Sequence, residues 1–323
     1  MSTREAIRQT VPESVSRSSH LPVLALLLAT VFWGMGFTWA KSAGEAINAR
    51  AALPAGAALG PVLLLAVRFT CGAMLWLALF PAARKGWSRR SLRRGGLMGL
   101  ILAMGLISQH MGLDRTSEAV SAFLTNLTII FVPLLIALLS RRWPAWRLGA
   151  AILMALTGIY LMTGAASQGF GRGEWLGLAC SILFSIYIVV LDRGSIGEDA
   201  FQLTAIQFVV VGLVCFAVAF GLARGHAPAM SVFVADRSVM WNAILLTVLT
   251  TVGSFGLMVR FQPRIDPTRA ALIYLAEPIV ASMWAWWTVG RTLAAIAIFG
   301  AALIVAANLL AGRGGSEHMI EPV

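Results

Sequence analysis

Ten apolar runs, most of them close to 20 residues long and separated by short polar loops, make up most of this 323-residue sequence. They lie at 21–40, 61–80, 97–113, 119–139, 148–164, 175–191, 203–222, 240–259, 270–289 and 293–310. A helix rising ~1.5 Å per residue crosses a bilayer core in about 20 residues. Lipid supplies no hydrogen-bond partners, so a crossing segment must satisfy its own backbone, which a helix does. The pattern predicts an all-α polytopic membrane protein with ten transmembrane helices. The third and fifth runs are short, and only residues 114–118 separate the third from the fourth.

Composition agrees with this expectation. Hydrophobic residues make up 59% and charged residues 12%, about half the ~25% charge of soluble domains. A soluble fold of this size has too little interior to hide that much apolar surface. The net charge of +11 raises the question of nucleic acid. The basic residues sit in short loops between apolar runs, which fits membrane topology better, and no nucleic-acid partner is expected. Cys71, Cys180 and Cys215 all fall inside apolar runs without metal-ligand spacing, so they read as small hydrophobic residues.

With ten crossings, seventeen of the 25 Lys and Arg residues fall on one side, most densely in the loop at 84–94. The positive-inside rule then places both termini in the cytoplasm, in a bacterial-type inner membrane. The polar segments 1–20 and 312–323 become cytoplasmic tails.

The chain also carries an internal repeat. A shift of 151 residues lays "GAAIL" at 149–153 on "GAALI" at 300–304, Ala119 on Ala270, Trp33 on Phe184 and Asn126 on Glu277. The second run needs a shift of 139, which an insertion in the loop near residue 50 would explain. Residues 21–164 and 175–311 are thus two five-helix repeats joined by a periplasmic connector at 165–174. Five crossings is an odd number, so the second repeat is inverted, an arrangement typical of secondary transporters.

Four stretches resemble a known family. "LLATVFWGMGFTWAK" and "EWLGLACSILFSIYIVVLDR" look like openings of an EamA domain. "AVSAFLTNLTIIFVPLLIALL" with "LGAAILMALTGIYLM", and "TRAALIYLAEPIVASMWAWWTVG" with "IFGAALIVAANLL", look like its endings. The resemblance, over roughly 22–311, implies the drug/metabolite transporter superfamily: two inverted five-helix halves moving a small molecule by alternating access. It also implies a cavity among the first, third, fourth, sixth, eighth and ninth helices. Both endings depart from the family's usual Gly-Glu between the last two helices, with Leu139-Ser140 and Gly290-Arg291 in its place.

Within the ten runs only Arg68 and Glu277 are formally charged. A charge at that depth costs ~2.5–3.5 kcal/mol on insertion scales and usually faces a cavity or a partner. Glu277 is therefore a proton- or substrate-binding carboxylate, or else a structural partner of Arg68 or of backbone exposed near Pro278. Pro278 and Pro133, in corresponding helices, are candidate bends lining a cavity. His110 is a candidate proton relay or an interface residue. Trp33, Asn126, Tyr187 and Tyr274 are candidate substrate contacts, with Trp33 and Tyr187 suited to an aromatic wall.

Catalytic motifs, a Walker loop and paired metal ligands are missing from the sequence. The expected function is secondary transport without a cofactor, as export of an amino acid or similar small metabolite, aromatic or amphipathic portions included, with a proton as candidate coupling partner. The alternatives are a membrane-embedded enzyme acting on lipid-linked substrates and a non-transporting membrane scaffold.

Overall fold

A computed structural model describes residues 20–141, 146–163, 170–223, 230–265, 270 and 273–315. Of the expected tails 1–20 and 312–323, residues 1–19 and 316–323 lie outside the described residues, as do 165–169, half of the expected connector; residues 312–315 continue the last helix. The regular elements among the described residues are helical. They are α1 (Leu21–Arg50), α2 (Leu59–Leu79), α3 (Arg89–Leu113), α4 (Glu118–Asn126), α5 (Thr128–Leu139), α6 (Trp146–Thr163), α7 (Arg172–Gly194) and α8 (Ala200–Leu222). Then follow α9 (Arg237–Leu245), α10 (Ser254–Phe261), α11 (Glu277–Val289) and α12 (Ala295–Gly315). A π-helical stretch, Leu246–Gly253, joins α9 to α10.

The helix starts are local chemistry. Ser88, Ser117, Asp199 and Asp236 each accept a hydrogen bond from a backbone N–H of the first turn they precede, groups that otherwise have no partner. Pro22 and Pro61 lie near helix starts, where their missing N–H is of least consequence.

Three differences from the expected spans bear on the interior. Helix α1 runs to Arg50, ten residues beyond the apolar run, because Lys41 and Asn48 find partners inside the bundle. Lys41 Nζ donates to the Thr116 carbonyl and Asn48 Nδ2 to the Ala57 carbonyl at 2.8 Å. The fourth run divides at Leu127 into α4 and α5. The ninth is cut by a turn at 275–276, after which α11 begins at Glu277.

Among the described residues, seven stretches are long and apolar enough to cross a membrane, against the ten expected. Two further apolar helical stretches, Gly149–Leu161 and Ala295–Leu310, are shorter. The ninth expected span is interrupted by its turn, and residues 271–272 lie outside the described residues.

Helix pairing is ordered. Helix α12 packs on α6, and α8 on α2. Helix α3 packs on α7 and α8, while α1 packs on α9, α10 and α11. One core joins residues of α1, α2, α3, α8 and the π stretch, including Trp76, Phe69 and Phe208. A second joins α4, α6 and α12 through small residues such as Ala151, Ala155, Ala301 and Ala307. Close approach relies on glycine: a Cβ on Gly60 would come within 2.3 Å of the Gly44 carbonyl oxygen.

Ion pairs sit at both ends of the bundle. Where α3 begins, Arg90 and Arg94 bond Glu198 at 3.1 and 3.4 Å. Where α1 ends, Arg50 bonds Asp236 at 3.2 Å.

Candidate functional site

The interruptions in the two proline-containing runs organise the interior. Asn126 closes α4, and Glu277 opens α11. Their side chains lie within hydrogen-bonding reach of one another. Pro278 stands at the second position of α11, where it interrupts no helical hydrogen bond. Pro133 lies inside α5, and the interruption in that run falls six residues earlier, at Leu127. Cys180 of α7 reaches the Thr125 hydroxyl and lies in the field of Glu277. Gln109 Nε2 also donates to Thr125 Oγ1, at 3.1 Å.

Trp33 stands beside this group. The next residue, Gly34, is so close to α11 that a Cβ there would meet the Glu277 carbonyl oxygen at 2.9 Å. The Trp33 indole N–H donates to the Thr250 carbonyl at 3.1 Å. Thr250 Oγ1 donates back to the Phe32 carbonyl at 3.3 Å. Both bonds end on the π stretch, a distortion frequent at functional sites. The Trp33 ring lies 5.6 Å from Tyr274 and 5.9 Å from Phe255, forming an aromatic wall. Tyr274 donates its hydroxyl to Gln262 Oε1 at 2.8 Å. Tyr187 is held elsewhere, donating to Gln207 Oε1 at 2.6 Å.

Arg68 is buried in α2, its guanidinium 5.2 Å from the Phe69 ring. Its Nε donates to Thr251 Oγ1 at 2.6 Å. Among the described residues, neither Arg68 nor Glu277 takes part in an ion pair. His110 of α3 is buried, with Nδ1 bonded to the Leu106 carbonyl at 3.0 Å and Nε2 without a partner.

The structure thus joins Trp33 to Tyr274 and Asn126 to Glu277, and holds Tyr187 and Arg68 through other partners. Sequence reasoning missed Gln207, Gln262, Thr250 and Thr251 as the residues that orient them. It read Cys180 only as a hydrophobe. The signal available was a set of polar residues inside apolar runs, with nothing to say which pairs would meet.

At the outer edge of this region, Glu118 at the start of α4 is 1% exposed. Its Oε1 accepts from Arg291 Nη1 at 2.5 Å, while Oε2 has no partner. Arg291 also lies 3.9 Å from Glu45.

A bundle of long apolar helices around buried polar side chains is a polytopic membrane protein. Residues 171–313 match the model of the EamA-like transporter family. An "Uncharacterized transporter" of Archaeoglobus fulgidus is 23% identical over 292 residues, covering 89% of this chain and 84% of that protein. A solved crystal structure shares the fold with a TM-score of 0.59 at 20% identity, over 94% of this chain and 100% of the other.

Proposed function

We propose that this protein is a secondary transporter that exports a small metabolite across a bacterial-type inner membrane by alternating access. Its moving parts are two inverted five-helix repeats, 21–164 and 175–311, with both termini in the cytoplasm. The observation that carries this reading is an exchange symmetry in the packing. Swapping the repeats turns the α3–α7 contact into the contact between α1 and the α9–α10 span, and the α4–α7 contact into the α1–α11 contact; all of these pairs pack together. The α2–α8 and α6–α12 pairs map onto themselves. Asn126 and Glu277, matched by the repeat, face each other as two residues beside a pseudo-two-fold axis would. The ion pairs follow the same exchange, with Arg90 and Arg94 on Glu198 at one end and Arg50 on Asp236 at the other. The EamA match over 171–313 and the transporter relative support the same class.

In this reading the cavity lies near the midplane, at the interface of the repeats. Trp33 and Tyr274 line it beside Asn126 and Glu277, with Tyr187 on the facing helix. The aromatic wall suits an amphipathic metabolite with an aromatic or apolar portion.

The test is flux in proteoliposomes of the purified protein, with alanine at Trp33, Asn126, Tyr187 and Tyr274. Reduced flux with unchanged melting temperature is expected. Unchanged kinetics in all four variants would remove the site. Single-cysteine labelling tests the topology: the loop at 84–94 should react only from the cytoplasmic side.

A further inference from the structure

The loop before α3 and the first turns of that helix hold six basic residues between positions 84 and 94, and the structure sorts them. Arg90 and Arg94 turn to Glu198, between α7 and α8, at 3.1 and 3.4 Å. Arg89 and Arg93 are exposed, and neither side chain has a partner among the described residues. They stand four positions apart, so they share one face of α3. That place is unfavourable for a cation. Free N–H groups give a helix start a partial positive charge, and the first turn of α3 contains no acidic residue to offset it. Membrane topology needs basic residues somewhere in such a loop. It does not need two arginines stacked on one helix face.

The same face continues as a hydrophobic stripe. Leu97, Leu100 and Met104 follow Arg93 at helical spacing and are exposed, on a helix long and apolar enough to cross a membrane. Between the arginines and the stripe is a notch at Gly96, where nothing comes within 4 Å of an ideal Cβ. Gly95 is the opposite case, since a Cβ there would meet Ile206 Cγ2 of α8 at 2.8 Å. Helix α8 thus covers one side of α3 and leaves the face of Gly96 open. Trp87 is exposed just before the helix, and its indole N–H donates to the Ala83 carbonyl at 2.8 Å. A tryptophan so placed marks the level of the membrane–water interface. The arginines therefore lie at the depth of head groups, and the stripe at the depth of acyl chains.

We propose that this face of α3 is a seat for one anionic phospholipid of the bilayer. Arg89 and Arg93 hold the phosphate, and Leu97, Leu100 and Met104 carry an acyl chain. An anion at this point offsets both cations and the positive end of the helix. Guanidinium forks match phosphate oxygens. Lys85 is exposed in the preceding turn, its side chain without a partner among the described residues, and adds attraction. The occupant is a lipid and not a soluble phosphate, because the stripe continues the site into the apolar layer. The inference needs only that α3 spans a membrane and stands apart from what the protein moves.

The test is thermal unfolding of the delipidated full-length protein in detergent with added lipid, which follows affinity without requiring flux. The probes are dioleoylphosphatidylglycerol, dioleoylphosphatidylcholine and glycerol 3-phosphate. Phosphatidylglycerol should raise the melting temperature saturably, phosphatidylcholine much less, and glycerol 3-phosphate not at all. The Arg89→Gln, Arg93→Gln double variant should need about tenfold more phosphatidylglycerol, or beyond, for the loss of charge-assisted hydrogen bonds. It should fold, because it removes two cations from a helix start. Gly96→Leu keeps every charge, fills the notch and should also raise the half-saturating concentration; it carries the test if the double variant does not fold. Arg260→Gln with Arg264→Gln neutralises two exposed arginines elsewhere and should leave the response unchanged.

Equal stabilisation by the two lipids, or by glycerol 3-phosphate and phosphatidylglycerol, would overturn the proposal. So would an unchanged response in the folded Arg89, Arg93 double variant or in Gly96→Leu. An equal loss in the Arg260, Arg264 variant would reduce the effect to net charge and overturn the seat. Flux in proteoliposomes is a separate reading, and its absence overturns transport alone.

Discussion

Asn126 and Glu277 stand 151 positions apart in the chain, and their side chains meet where α4 ends and α11 begins. The Asn126 amide also donates to the Ala122 carbonyl at 3.1 Å. The two interrupted helices also pack directly on one another.

The first prediction concerns that contact. Glu277→Gln keeps the shape and an acceptor, so its melting temperature should stay near that of the native protein. Glu277→Ala removes the acceptor and should destabilise by about 1–3 kcal/mol. Asn126→Asp sets two carboxylates against each other and should lower the melting temperature, with recovery in the Asn126→Asp, Glu277→Gln double variant. A double-mutant cycle in thermal unfolding measures this. Additive effects would break the link between the residues.

The second prediction concerns Arg291 and Glu118. Replacing Arg291 by Gln strips a nearly enclosed carboxylate of its ion-pair partner. About 1–3 kcal/mol should be lost, at the lower end because Arg291 itself is partly exposed. Arg291→Glu should be worse because it adds a like charge. Glu118→Gln should rescue both. Thermal unfolding of the four variants decides the matter.

The third prediction is a pH dependence. Asp114, just beyond α3, is pushed up to about 6 by burial and then by the Glu45 charge, against the pull of Lys41 and Arg115. Its carboxyl therefore binds its proton more tightly in the folded protein than in the unfolded chain. Stability from this group falls as pH rises from about 4 to about 6 and is level above that. Asp114→Asn should raise the melting temperature at pH 7.5 and flatten the profile between pH 4 and 6. A lower melting temperature at pH 7.5 would contradict the assignment.

The fourth prediction tests the α6–α12 contact. A Cβ on Gly158 would come within 2.6 Å of the Gly300 carbonyl oxygen and 2.7 Å of Ile304 Cγ1. Gly158→Leu should cost about 1–3 kcal/mol or more by overpacking. Gly149, in the same helix, has nothing within 4 Å of its ideal Cβ, so Gly149→Leu serves as a control and should unfold like the native protein. Equal losses at both positions would show that the effect is not this contact.

The sequence alone carried the helical membrane architecture, because a run of about 20 apolar residues has few other stable solutions in lipid. It also marked the stretches that resemble EamA endings, one of which lies within the matched 171–313. It singled out Arg68 and Glu277 through their rarity in apolar surroundings. Only the tertiary structure decided that Glu277 faces Asn126 and not an Arg68 ion pair, that Arg68 Nε rests on Thr251, and that Trp33 meets Tyr274. It also decided that α1 runs on to Arg50, where Lys41 is satisfied by the distant Thr116 carbonyl and Asn48 by the Ala57 carbonyl of the next loop. The reason is that lipid and protein interior are both apolar, so hydrophobic periodicity does not say which face of a membrane helix turns inward. That choice is made by packing between segments far apart in the chain, through close glycine contacts and a few directional hydrogen bonds.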